Sequence, residues 1–192
     1  MYISSYCVNR CRYCGFSADN PHQKRRCLTM DEIKAEAAAM TGIHGHKRVM
    51  AVYGEHPMTG AEFIAESLDA IYSVNVKTRH GNSNVRRINI NAAPLSIDDL
   101  KIVQKAGIGT FQVFQETYSH KTYAAMHPAD TVKGDYGWRL TCMHRAFDAG
   151  IDDVGLGVLF GLQPDWRFEV MGLITHAREL ERFVGIGPHT FS

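Results

Sequence analysis

Three glycine–isoleucine steps, Gly107-Ile108, Gly150-Ile151 and Gly185-Ile186, each close an amphipathic stretch and open an apolar one. A glycine there suits the left-handed residue that ends a helix, and the isoleucine then begins a buried strand. The steps stand roughly one strand–helix unit apart. Apolar or alternating runs predict strands at Tyr2–Tyr6, Arg48–Tyr53, Arg87–Asn91, Thr110–Gln115, Asp153–Val158 and Pro188–Phe191. Helical spacing predicts helices at Asp31–Thr41, Ala61–Tyr72, Ile97–Lys105, Tyr118–Met126, Trp138–Asp148 and Trp166–Phe183, with Thr29 or Asp31 as N-cap of the first. Residues 73–86 read as a surface loop.

Alternating strand and helix imply an α/β fold with a parallel sheet and helices outside. No glycine fingerprint opens a helix, and Gly107-Ile-Gly109 follows one, so a Rossmann phosphate loop is excluded. Asn89 and Asn91 alternate with Ile88 and Ile90, so one face of that strand is polar, as beside a site. Six strands favour a partial (β/α)6 barrel, since a closed eight-stranded one takes about 250 residues. The expectation is a single domain over 1–192, truncated at both ends and part of a longer enzyme.

Composition narrows function by exclusion. Lys plus Arg is 21 against 20 Asp plus Glu, which lacks the footprint of a nucleic-acid binder. No apolar run approaches the ~20 residues of a membrane helix, and the opening residues lack a signal peptide's pattern. Five cysteines, three of them within eight residues, do not suit a secreted disulfide framework and point to a reducing compartment.

Those three carry the strongest chemical signal. Cys7, Cys11 and Cys14 form Cys-x-x-x-Cys-x-x-Cys after the first strand, with Tyr13 before the last. Three thiolates can hold three irons of a [4Fe–4S] cluster and leave the fourth open. The alternative is zinc with a fourth ligand from Cys27, His22 or His44. Other polar residues fall at the predicted carboxyl ends of strands: Gly54-Glu55-His56, Asn91, Gln115-Glu116-Thr117-Tyr118, Gly155 with Gly157, and His189-Thr190. Arg139 suits either surface or a carboxylate clamp. Cys27, among Lys24, Arg25 and Arg26, and Cys142 read as ordinary thiols; His80 and His120 read as loop residues.

The cysteine motif with Tyr13, Gly15 and Phe16 resembles the radical S-adenosylmethionine (SAM) superfamily. Val52-Tyr-Gly-Glu-His-Pro57, Gly107 to Tyr118, Tyr136 to Leu140, Ala149 to Leu162 and Gly187-Pro-His-Thr190 resemble its tyrosine lyases, those of [FeFe]-hydrogenase maturation and of thiazole synthesis. The Asp-Asp-Val-Gly and Gly-Pro-His-Thr segments read more like the former.

The resemblance implies a radical SAM barrel binding a [4Fe–4S] cluster and SAM. Gly54 and Glu55 would receive the SAM amino group, Glu116 the ribose hydroxyls, and Arg139 the SAM carboxylate. Gly155 and Gly157 would lie against the adenine, and Tyr13 beside the cluster. His189, at the mouth of strand six, would face either the substrate, as a catalytic residue, or the iron of a second cluster. L-Tyrosine would be cleaved at Cα–Cβ to p-cresol and dehydroglycine, the maturase converting the latter to carbon monoxide and cyanide. An electron donor such as ferredoxin or flavodoxin, other maturation proteins, and a cytoplasmic or anaerobic-organelle location follow from the same resemblance. The family's C-terminal auxiliary-cluster domain and a substrate-binding arginine expected after strand six are absent, which implies weak tyrosine turnover.

Overall fold

The computed structural model describes residues 1–192, with strands β1 (Tyr2–Ser4), β2 (Arg48–Tyr53), β3 (Val76–Thr78), β4 (Gly81–Ser83), β5 (Arg87–Asn91), β6 (Phe111–Gln112), β7 (Val154–Leu156) and β8 (Thr190–Phe191). The helices are α1 (Met30–Gly42), α2 (Ala61–Tyr72), α3 (Ile97–Lys105), α4 (His120–Met126), α5 (Tyr136–Leu140), α6 (Cys142–Asp148) and α7 (Trp166–Val184). Six strands pair in parallel in the order β1-β2-β5-β6-β7-β8, an open partial barrel whose edges are β1 and β8.

Register explains the alternation read in the sequence. Ala51, Ile90, Phe111 and Val154 lie side by side across four strands and are almost wholly buried. They belong to a core of 31 buried residues shared with the helices. One residue further along each strand, Val52, Asn91, Gln112, Gly155 and Thr190 form the next row, which a two-residue period turns to the opposite face. That inner face is polar, and it carries the site.

All three glycine–isoleucine glycines adopt the left-handed conformation, with φ of 78°, 87° and 82° at Gly107, Gly150 and Gly185. Thr29 is the N-cap of α1, and its hydroxyl and the Glu32 carboxylate complete a capping box. Four expectations need correction. Residues 73–86 contain the antiparallel β3–β4 hairpin rather than only a loop. The 138–148 helix is two helices, because Thr141 leaves helical geometry at ψ 9°. The fourth helix starts at His120 because Ser119 caps it, so His120 is helical and its ring lies 3.9 Å from that of Tyr136. The last strand shortens to Thr190–Phe191.

Candidate functional site

Parallel strands present their carboxyl ends together, and a cavity of about 230 Å³ opens there. Cys7, Cys11, Cys14, Glu55, Glu116 and Arg139 all contribute to its wall, with Tyr13, Gly54 and Asn91. An adjoining hollow of about 220 Å³ shares Tyr53, Gly54, Glu55, Ala92 and Ala93.

The cysteine loop is pinned where it leaves β1. Arg25 donates to the Ser5 and Phe16 carbonyls at 2.8 Å each and to the Ser17 carbonyl at 2.5 Å. Buried Asn9 ties the loop to both sides of the cavity: its Nδ2 donates to Glu55 Oε2 at 2.5 Å, and its Oδ1 accepts from the Lys133 amide at 2.9 Å. Gly54 lets the two chains meet. A Cβ there would lie 2.2 Å from the Tyr6 carbonyl oxygen, a contact that no side chain could accept. Its amide donates to the Ser4 carbonyl at 2.9 Å.

Glu116 holds a backbone conformation unusual for its type, with φ of 71°. Its neighbours over-determine it. The Glu116 carbonyl accepts from the Leu159 amide at 2.8 Å, and the Gln115 amide donates to the Gly157 carbonyl at 2.9 Å. On its other side, buried Glu169 of α7 accepts from the Thr117 hydroxyl and, at 2.8 Å, from the Tyr118 amide. The Glu116 carboxylate lies 2.7 Å from Lys133 Nζ and 3.5 Å from Arg139 Nη2. Burial is the largest influence and pushes its pKa up, but Lys133 and Arg139 outweigh burial and hold it below the ordinary value. Arg139 is itself buried and donates from Nε to the Phe114 carbonyl at 2.6 Å.

Tyr13 turns its hydroxyl to His127 Nε2 at 2.9 Å, and His127 Nδ1 faces the Tyr123 carbonyl at 2.9 Å. A carbonyl only accepts, so Nδ1 carries the proton and Tyr13 donates. Burial, then Lys133, lower the His127 pKa to about 4, which keeps the ring neutral.

The donor set distinguishes a cluster from a single ion. No group of three or more His, Cys, Asp or Glu could hold one metal ion. Zinc would need thiolates within about 4 Å of one another, since each bond is ~2.3 Å. A [4Fe–4S] cluster takes each cysteine on a different iron, and all three cysteines line one cavity. N–H groups already face two sulfurs: the Phe16 amide to Cys14 Sγ at 3.4 Å, and Asn9 Nδ2 to Cys7 Sγ at 3.8 Å. All five cysteines are free thiols. The residues therefore fit a cluster, and the zinc alternative through Cys27, His22 or His44 has no geometry behind it.

Two expectations stand apart from this group. His189 lies at the amino end of β8, exposed, with Nδ1 3.6 Å from Asp153 Oδ1 and its amide on the Val154 carbonyl. Asp153 precedes β7, so this is the opposite end from the cysteines. The physical reason is that β8 begins only at Thr190, and a carboxyl-end residue would have to follow Phe191. Gly155 and Gly157 are on the inner face but outside the cavity wall, with Gln112 and Phe114 side chains over their Cα atoms. Sequence reasoning missed Asn9, Arg25, His127, Lys133 and Glu169. Only Asn9, two residues past Cys7, lay within a motif that could have flagged it.

Residues 1–172 match the family model of the Radical SAM superfamily. The chain is 32% identical over 183 residues to 2-iminoacetate synthase of Escherichia coli (strain K12), covering 95% of this chain and 45% of that protein. It superposes on HydG, a maturase of the [FeFe]-hydrogenase, with a TM-score of 0.93 and 43% identity, over 100% of this chain and 40% of that one. HydG from Carboxydothermus hydrogenoformans gives 0.91 and 41%, over 100% of this chain and 42% of that one. The chain spans less than half the length of each of these relatives.

Proposed function

Since the chain belongs to the radical SAM superfamily, whose members use a [4Fe–4S] cluster and SAM, we propose that it is the SAM-cleaving core of a tyrosine lyase of [FeFe]-hydrogenase maturation. The reaction breaks the Cα–Cβ bond of L-tyrosine to p-cresol and dehydroglycine, the source of the carbon monoxide and cyanide ligands. The observation that carries this reading is one cavity wall bearing Cys7, Cys11, Cys14, Glu55, Glu116 and Arg139 together. The 43% identity to HydG against 32% to 2-iminoacetate synthase favours maturation over thiazole synthesis, which remains the second reading.

When bound, the cluster and SAM supply one-electron cleavage of SAM and a carbon radical that takes hydrogen from substrate. Cys7, Cys11 and Cys14 would hold the cluster and leave one position for SAM. Glu55, oriented by Asn9, and the Gly54 backbone receive the SAM amino group. Glu116, kept ionised by Lys133 and Arg139, accepts from the ribose hydroxyls, while Arg139 turns its remaining donors to the SAM carboxylate. Tyr13, fixed by neutral His127, packs the loop against solvent and excludes competing hydrogen donors. Gly155 and Gly157, where a side chain would collide with Gln112 and Phe114, would border the adenine through their backbone. An electron donor of the ferredoxin or flavodoxin class and other maturation proteins are the partners. A cytoplasmic or anaerobic-organelle setting goes with the same reading; no helix is long and apolar enough to cross a membrane.

Anaerobic incubation of the cluster-loaded chain with SAM, a reductant and L-tyrosine, followed by chromatography, tests the reaction. Release of both 5′-deoxyadenosine and p-cresol supports the lyase. Release of 5′-deoxyadenosine alone would contradict tyrosine cleavage by this chain, and release of neither would make it a cluster-binding module.

A further inference from the structure

The site above occupies the carboxyl ends of the strands; the amino ends carry a second concavity that it does not use. A groove of about 770 Å³ lies between the last turn of α1, the β3–β4 hairpin and the entries to β2 and β5. Its charge is one-sided. Residues 37–54 and 70–97 hold Lys47, Arg48, Lys77, Arg79, Arg86 and Arg87 and not one Asp or Glu, in a chain whose net charge is only +1. Arg87 is engaged by Asp153. Lys47, Lys77, Arg79 and Arg86 line the groove, and none forms an ion pair.

The floor of the groove is built rather than incidental. Lys47 is half-buried and donates from Nζ to the Ser83 hydroxyl, while buried Ser83 donates to the Thr41 carbonyl at 2.8 Å. The Lys47 carbonyl accepts from the amides of Arg86 and Arg87 at 2.8 and 3.2 Å, so floor and wall are one unit. Arg79 Nε donates to His80 Nε2 at 2.9 Å, which orients its guanidinium and leaves the terminal nitrogens unbonded. Lys77 and Arg86 make no side-chain hydrogen bond, and both are exposed. The carboxyl end of α1 supplies only about half a negative charge, too little to neutralise four cations.

Four converging cations without a counter-charge repel one another unless an anion enters. We propose that this groove binds a small molecule bearing a pyrophosphate group. Several negative charges within a few ångströms match cations on floor and both walls, and forked guanidinium donors suit phosphate oxygens. A recessed Lys47 favours a ligand that enters the groove over an acidic protein face resting on the rim.

Titration calorimetry of this chain at low ionic strength, with inorganic pyrophosphate as probe, tests the assignment. Saturable one-to-one binding is expected, tighter than that of inorganic phosphate. Arg86→Ala and Lys77→Ala, which disturb no internal bond, should each weaken it about tenfold, and Lys47→Met should weaken it further. Arg182→Ala, on α7 and outside the groove, should leave it unchanged. Absence of saturable binding, insensitivity to Arg86→Ala, or equal loss in Arg182→Ala would overturn the proposal. So would tighter, length-dependent binding of polyglutamate or an oligonucleotide, which would reassign the surface to a polymer.

Discussion

Lys133 Nζ sits 2.7 Å from Glu116 Oε1 with both side chains almost buried, and its backbone amide is held by Asn9 from the cysteine loop. One residue thus joins the loop bearing the thiols to the carboxylate on the far side of the cavity. Its ammonium also lies 5.6 Å over the Tyr13 ring. The pairing holds the Glu116 pKa below its ordinary value in a place where burial alone would raise it.

Replacing Lys133 by Met should therefore cost about 1–3 kcal/mol of stability at pH 7. That is less than the ~3–5 expected for a wholly stranded buried charge, because Arg139 remains nearby. The sign with pH follows from the lowered folded pKa. The pair stabilises above the ordinary carboxylate range and loses its effect as pH falls through the folded value. Denaturant unfolding should show parent and variant converging once the pH has fallen below the ordinary carboxylate range. A gap that stays constant with pH would mean the loss is packing alone.

His176 on α7 predicts a second pH dependence. Its Nδ1 meets the Tyr118 hydroxyl at 2.9 Å, and its Nε2 is buried without a partner. Burial, then His144, lower its pKa to about 4, with Glu179 opposing. The unfolded ring takes up a proton near pH 6.5 and the folded one only near 4, so stability falls as pH drops between them. His176→Gln should flatten that fall by about 2–3 kcal/mol. An equally steep fall in the variant would show the folded ring already charged.

Gly150→Ala isolates backbone strain. Nothing lies within 4 Å of the Cβ it would gain, but φ is 87°. A loss of about 1–2 kcal/mol is expected on urea unfolding. Gly187→Ala, also in open space but without positive φ, should change little. Similar losses in both would remove the conformational explanation.

What the sequence revealed and what it hid divide along the range of the forces involved. The glycine–isoleucine joints, the Thr29 cap and the Ile–Asn alternation of β5 are set by local geometry, so periodicity exposes them. The cysteine motif and Glu55 were legible because their spacing is short and chemically specific. Lys133 and His127 reach the cysteine loop across more than a hundred residues. Glu169 reaches Thr117 across 52, from a helix whose periodicity marks its apolar face and not this contact. Arg25 bonds only backbone carbonyls, which leave no mark in the sequence. The β3–β4 hairpin is three residues a side and polar, too short to alternate visibly. His189 was misplaced because an error of two residues in a two-residue strand exchanges one end of the sheet for the other.

Gly54→Ala tests the close approach beneath the cysteine loop. The new methyl would meet the Tyr6 carbonyl, which is backbone and cannot rotate away. Overpacking of this kind costs about 1–3 kcal/mol. The loop should shift enough to lower iron uptake on reconstitution, read as iron per chain. Undiminished iron and stability would mean the two chains separate without cost.

The central claim, three thiolates on a cluster with one iron left for SAM, is tested most directly by electron paramagnetic resonance of the reduced, reconstituted chain with and without SAM. A cluster signal that changes on adding SAM, with about four irons per chain, and that disappears in the Cys7→Ala/Cys11→Ala/Cys14→Ala variant is expected. Full iron and an intact signal in that variant, or a spectrum indifferent to SAM, would contradict it.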